Sequence, residues 1–171
     1  MRKISLFILV ILFAVIACTN KRENKLYQIK ELEKISFFNE NGKIDKLKAD
    51  NLIKAYISFA KTFPSDTLSP AFMFNAAQVY VAIEDFNKAI ETFNYIIDRY
   101  PSHSIVPQCL FVKAGIYENN LHNLVEAKKI YEEIIKKYPN HPLSRDAKVL
   151  INNLGKSPDE LLQSILSSKN K

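Results

Sequence analysis

The chain has 171 residues, 47% of them apolar, and 24 basic against 18 acidic residues give a formal charge of +6. Without Arg2 and Lys3, which lead an apolar segment, 22 basic residues remain and the charge is +4; spread among alternating Glu, Lys and Asn, this excess reads as a solvated helical surface and not as a nucleic-acid footprint. Three widely separated glycines, Gly42, Gly115 and Gly155, exclude a phosphate-cradling loop or a dinucleotide fingerprint.

The N-terminus comes first. Arg2 and Lys3 precede fourteen uncharged residues, Ile4 to Ala17. A helix needs roughly 20 apolar residues to cross a bilayer, so the run suits the hydrophobic region of a secretory signal. The alternative is an uncleaved signal anchor. Val15-Ile16-Ala17-Cys18 resembles the lipobox of bacterial lipoproteins. That resemblance implies that residues 1–17 are a signal peptide, that Cys18 is the lipidated first residue of the mature chain, and that residues 18–25 are a tether. Thr19 is not the aspartate that resembles an inner-membrane retention signal, which favours the outer membrane. Asn20-Lys21-Arg22-Glu23 lacks an acidic export cluster, which favours the periplasmic face.

Beyond the tether the apolar residues recur at helical spacing. Leu26, Ile29, Leu32, Ile35 and Phe38 mark a helix ending at the turn Asn41-Gly42, and Lys46 to Phe63 marks a second, closed by Pro64. Ser69-Pro70 reads as a cap followed by a first-turn proline opening a helix over Ala71 to Ala82. From Phe86 the stripe 86, 89, 90, 93, 96, 97, 100 runs to Pro101. Val106 to Asn119 follows, with Pro107 in its first turn. The stripe then returns from Leu124 to Tyr138, before Pro139, with Glu132 and Glu133 four residues ahead of Lys136 and Lys137. Ala147, Leu150, Ile151 and Leu154 make a further helix stopped by Gly155. Ser157-Pro158-Asp159-Glu160 is a capping box before a terminal helix carrying Leu161, Leu162, Ile165 and Leu166, and residues 167–171 form a frayed tail.

Two of these stretches are copies. FNKAIETFNYIIDRYP from Phe86 returns as LVEAKKIYEEIIKKYP from Leu124, 38 residues on. Ala89 matches Ala127, Phe93 matches Tyr131, and Tyr100-Pro101 matches Tyr138-Pro139. A fixed offset of this size marks stacked repeats, each leaving an apolar face for its neighbour to cover. A small residue then Tyr in the first helix (Ala77 and Tyr80; Ala114 and Tyr117), Ala-x3-aromatic in the second, and a closing proline resemble the tetratricopeptide repeat. The period of 37 to 38, longer than the usual 34, and the turn Tyr-Pro-x-His/Ser are similar to repeats of periplasmic outer-membrane assembly and Tol-Pal-associated proteins. The expected fold is all-α: a right-handed superhelical array of antiparallel helix pairs, about four of them, over residues 26–166 with one continuous core, a length of about 150 mature residues being sufficient for one.

Chemistry leaves little trace. If Cys18 carries lipid, Cys109 has no disulfide partner; between Val106 and Leu110 it reads as a small buried hydrophobe before a reactive thiol. His103 and His141 are equivalent turn residues that a stacked array holds apart, so with His122 they make no metal site. No cofactor and no catalytic constellation is expected. The resemblance implies a concave face built from first helices, where Phe74, Gln78, Phe111, Glu118 and Asn119 would meet a protein or peptide partner; Phe74 and Phe111 packing between neighbouring helices is the alternative. The expected function is a non-enzymatic, membrane-tethered protein–protein interaction scaffold of the bacterial envelope. A subunit of a β-barrel assembly machine and a peptidoglycan-binding accessory factor stand beside it.

Overall fold

A computed structural model describes residues 20–35, 44–157, 159–160 and 162–163. The signal segment, Cys18, Thr19, Phe38, the Asn41-Gly42 turn, most of the terminal helix with Leu161, Ile165 and Leu166, and the tail lie outside them. Among the described residues, helices α1 to α7 follow one another: α1 over 20–33, α2 Lys46–Thr62, α3 Ser69–Ala82, α4 Phe86–Arg99, α5 Val106–Asn119, α6 Leu124–Lys137 and α7 Pro142–Asn153. Residues 159–160 and 162–163 are again helical, and the described residues include no strand. The expected all-α class is therefore what the described residues adopt. None of the described helices is long and apolar enough to cross a membrane.

The helices start and stop where local chemistry directs. Asp45 caps α2 by accepting from the Leu47 and Lys48 amides, and Asn123 caps α6 by accepting from Glu126. These are the orphan donors that short polar side chains satisfy. Ser157 and Glu160 form the expected box, the Ser157 amide donating to the Glu160 carboxylate (2.7 Å) and the Glu160 amide to Ser157 Oγ (3.3 Å). Gly155, at φ +76°, follows α7 in a left-handed conformation that glycine adopts without strain. The start of α3 differs from expectation. Ser69 is not the cap of α3 but its first residue, and its hydroxyl donates to the Phe63 carbonyl at 2.6 Å.

Over the expected repeat domain, 26–166, the chain divides into two compact units, Met1–Asp85 and Phe86–Lys171. In the first, α1 and α3 both pack on α2. Ile29, Leu52, Ile53, Tyr56, Phe59 and Ala76 are buried together. Phe72 stacks on Tyr56 (centroids 5.4 Å apart) and meets Phe59 edge-on (4.9 Å), arrangements in which the ring quadrupoles attract.

Within the expected tether over 18–25, the described residues, from 20 onward, belong to helix α1. Arg22 grips Asp66 with Nε at 2.5 Å and a second nitrogen at 3.3 Å, lies over the Phe59 ring at 5.9 Å, and is followed one turn later by Lys25 donating to Ser58 Oγ at 2.6 Å. These partners fix the segment to the helical body. The polar run Asn20 to Lys25 offered no apolar stripe by which to see this.

In the second unit α5 is central, with α4, α6 and α7 packed around it. Val106, Leu110, Ala114, Ala127, Ile130, Tyr131, Ile134 and Ala147 make the core. Its environment explains its composition: a helix covered on several sides is apolar on several faces, whereas α4 and α6 keep a charged outer face. Ala114, Ala127 and Ala147 are completely buried, and their small side chains set the close approach of the helices that carry them.

Candidate functional site: a cleft over α5 and the repeated turns

Three turns are built alike. Asp66, His103 and His141 occupy equivalent positions two residues after Pro64, Pro101 and Pro139. Each accepts through its side chain from the amide two residues on: Leu68 to Asp66 at 2.9 Å, Ile105 to His103 at 3.2 Å and Leu143 to His141 at 3.2 Å. Each backbone amide also donates to the carbonyl of the aromatic residue three back, Phe63, Tyr100 or Tyr138, at 2.9 Å. The histidines thus serve as Nδ1 acceptors in turn formation. Among the described residues no group of three His, Cys, Asp or Glu side chains is placed to hold a metal.

A second construction repeats at the first-to-second helix contact. The Tyr56 hydroxyl donates to Glu33 at 2.7 Å, and the Tyr131 hydroxyl to Glu118 at 2.8 Å. Burial and the neighbouring carboxylate push both phenols well above the ordinary tyrosine value.

The second unit holds a cleft of about 430 Å³, lined by Ile97 and Asp98 of α4, Pro101 of the turn, Val106 and Leu110 of α5, and Glu133, Lys137 and Tyr138 at the end of α6. The apolar residues form its base, with Val106 and Leu110 buried. Charges stand at its edge. Lys137 donates to Glu133 at 2.7 Å, which holds its ammonium above the usual lysine range. Asp98 makes no ion pair among the described residues. Lys113, one turn along α5 from Leu110, is not part of the lining; it donates to Asn94 of α4 at 2.9 Å, and desolvation lowers its pKa.

None of the residues expected to meet a partner lines this cleft. Phe74 is buried, at 7% exposure, so its expected exposure is corrected. Phe111 is half-buried and packs edge-on against Tyr131 with centroids 5.7 Å apart. Glu118 is the acceptor of the Tyr131 hydroxyl. Asn119 is exposed and turns its amide back to the Gly115 carbonyl at 3.1 Å, while Gln78 is exposed on α3. Phe111 and Glu118 thus converge on Tyr131, and Asn119 bonds locally to its own helix. Cys109 is completely buried, and burial pushes its thiol up to about 12, so it is protonated and inert at neutral pH.

Residues 71–103 and 108–141 match the tetratricopeptide repeat family. Over these two stretches the chain is similar to tetratricopeptide repeats. The matched stretches contain α3 with α4 and α5 with α6. The first helices are offset by 37 residues and the second by 38, because the connection 83–85 is one residue shorter than 120–123. Comparison with curated proteins gave no match. Tetratricopeptide repeats are generally non-catalytic protein-binding elements, so the similarity suggests a protein–protein interaction scaffold.

The cleft escaped sequence reasoning because its base is made by residues that look like ordinary core. One signal does separate it. Asp98 stands where the neighbouring repeats have Lys61 and Lys136, so the repeated surface is basic at that position except here.

Proposed function

We propose that the protein is a lipid-anchored interaction scaffold of the bacterial cell envelope, held at the outer membrane through Cys18 and facing the periplasm. The observation that carries this reading is the conjunction of tetratricopeptide repeats with the lipobox-like Val15-Ile16-Ala17-Cys18 behind a short apolar leader. One acyl chain gives marginal membrane binding and two or more give stable attachment, at about 0.8 kcal/mol per buried methylene; a multiply acylated Cys18 would be a permanent anchor. Arg22, four residues on, is already fastened to Asp66. At roughly 3.5 Å per residue the chain between them spans at most about 14 Å, which keeps the first unit close to the bilayer.

Replacing Cys18 with serine tests the anchor: the protein should leave the membrane fraction and stop incorporating a labelled fatty acid. Retention of the variant in membranes with undiminished labelling would overturn it. The long repeat period also favours a narrower role, as a subunit of a β-barrel assembly machine. In that case depletion lowers the outer-membrane content of barrel proteins.

A further inference from the structure

We propose that the cleft over α5 is the partner-binding site of the second unit, and that its occupant is a segment of another protein in which a bulky apolar side chain adjoins Lys or Arg. The proposal rests on the scaffold reading and adds to it the place and the chemistry of recognition.

The volume, about 430 Å³, lies within the roughly 300–1,000 Å³ of ligand sites and has room for one or two large side chains. Buried Val106 and Leu110 with half-buried Ile97 offer them an apolar base, and the exposed Pro101 ring lies at its edge. Glu133 and Lys137 are engaged with each other, while the exposed Asp98 carboxylate makes no ion pair among the described residues and is met only by the longer-range field of Lys113. A cation beside the inserted side chain answers that charge, and an anion meets repulsion. The acidic edge is particular to this place, since the equivalent positions Lys61 and Lys136 would repel the same cation. On a chain with a formal charge of +6, a local carboxylate beside an apolar hollow discriminates among partners more than it strengthens binding. Lys113 is directed to Asn94 of α4 instead of into the cleft.

The probes are labelled synthetic peptides added to the full-length protein in detergent micelles. One has the core Lys-Leu-Phe-Lys, one has Lys-Ser-Ser-Lys, which lacks the apolar pair, and one has Glu-Leu-Phe-Glu, which reverses the charge. Binding is read by fluorescence anisotropy and located by amide chemical-shift changes. The first peptide should bind and move the amides of Ile97, Asp98, Leu110 and Lys137. Removing the apolar pair should weaken it tenfold or more, and reversing the charge about fivefold. Asp98→Lys, an exposed substitution, should lower affinity for the basic peptide about fivefold and raise it for the acidic one, with both effects fading at high salt.

Equal affinity for the three peptides, indifference to Asp98→Lys, or no binding at all would overturn the proposal. So would shifts confined to Phe111, Glu118 and Asn119, which would place binding on another face and leave the scaffold reading intact. Concentration-dependent shifts of the cleft amides without peptide would assign the cleft to a second copy of the chain, and would likewise overturn it. Recovery of a crosslinked partner in cells reports on the scaffold reading separately, so the two failures are distinguishable.

Discussion

Ser144 carries a fully buried hydroxyl with no hydrogen-bond partner, whereas Ser69, at the equivalent place two repeats earlier, donates to the Phe63 carbonyl. A buried unpaired hydroxyl costs about 1–3 kcal/mol. Ser144→Ala should therefore leave stability unchanged or raise it by up to about 1 kcal/mol, read as the midpoint of urea unfolding. A loss of more than about 1 kcal/mol would mean that the hydroxyl is bonded after all. Tyr131 presents the opposite case, because its hydroxyl is matched to Glu118 at 2.8 Å. Tyr131→Phe should cost about 1–2 kcal/mol, since hydrogen bonds to charged groups contribute more than neutral ones. Sequence made Tyr131 legible as a stripe residue and Glu118 only as a polar neighbour. Their bond depends on two helices meeting at one height, which no single-helix pattern contains. The same limit hid Ser69: its hydroxyl takes the carbonyl of Phe63 across the turn, so a residue with the chemistry of a cap sits inside the helix.

At the scale of elements, α2 to α6 were legible because their apolar spacing, prolines and polar caps agree with one another. Helix α1 was legible only in part. Its first turns are polar, and what holds them is tertiary: the Arg22–Asp66 grip and the Lys25–Ser58 bond. The Arg22 guanidinium holds the Asp66 carboxyl below its usual range. A depressed carboxylate contributes stability above its unfolded value, near pH 4, and that contribution disappears as pH falls through the lower folded value. Arg22→Ala should thus destabilise the first unit at neutral pH and leave the wild-type and variant proteins alike in acid below the folded value. A difference that persists undiminished in acid would exclude the ion pair as its cause. In the second unit, Ala114 and Ala127 are wholly buried where α5 meets α6. Ala127→Leu should cost about 1–3 kcal/mol by overpacking, as measured by thermal unfolding. The tight alanine positions were legible from the repeat itself, being the residues that recur at its fixed offset.

For the whole molecule, the fold class followed from one observation, a pattern recurring every 37 to 38 residues, because stacking of like units is what such a period requires. The division into two compact units was not legible, since the repeat continues through the break between Asp85 and Phe86. Function divides the same way. A protein-binding role is suggested by the repeats, whereas the face used depends on where side chains leave space between helices. Phe74 and Phe111 illustrate the difficulty: a bulky aromatic on a first helix suits a partner and a core equally well, and here one is buried and the other packs on Tyr131. The most direct measurement is crosslinking of the full-length protein in living cells, followed by purification from the membrane fraction and mass spectrometry of the crosslinked peptides. The account predicts a stoichiometric protein partner joined within residues 71–141, lost to the soluble fraction together with the scaffold when Cys18 is changed to serine. Recovery of the chain free of any partner would contradict it.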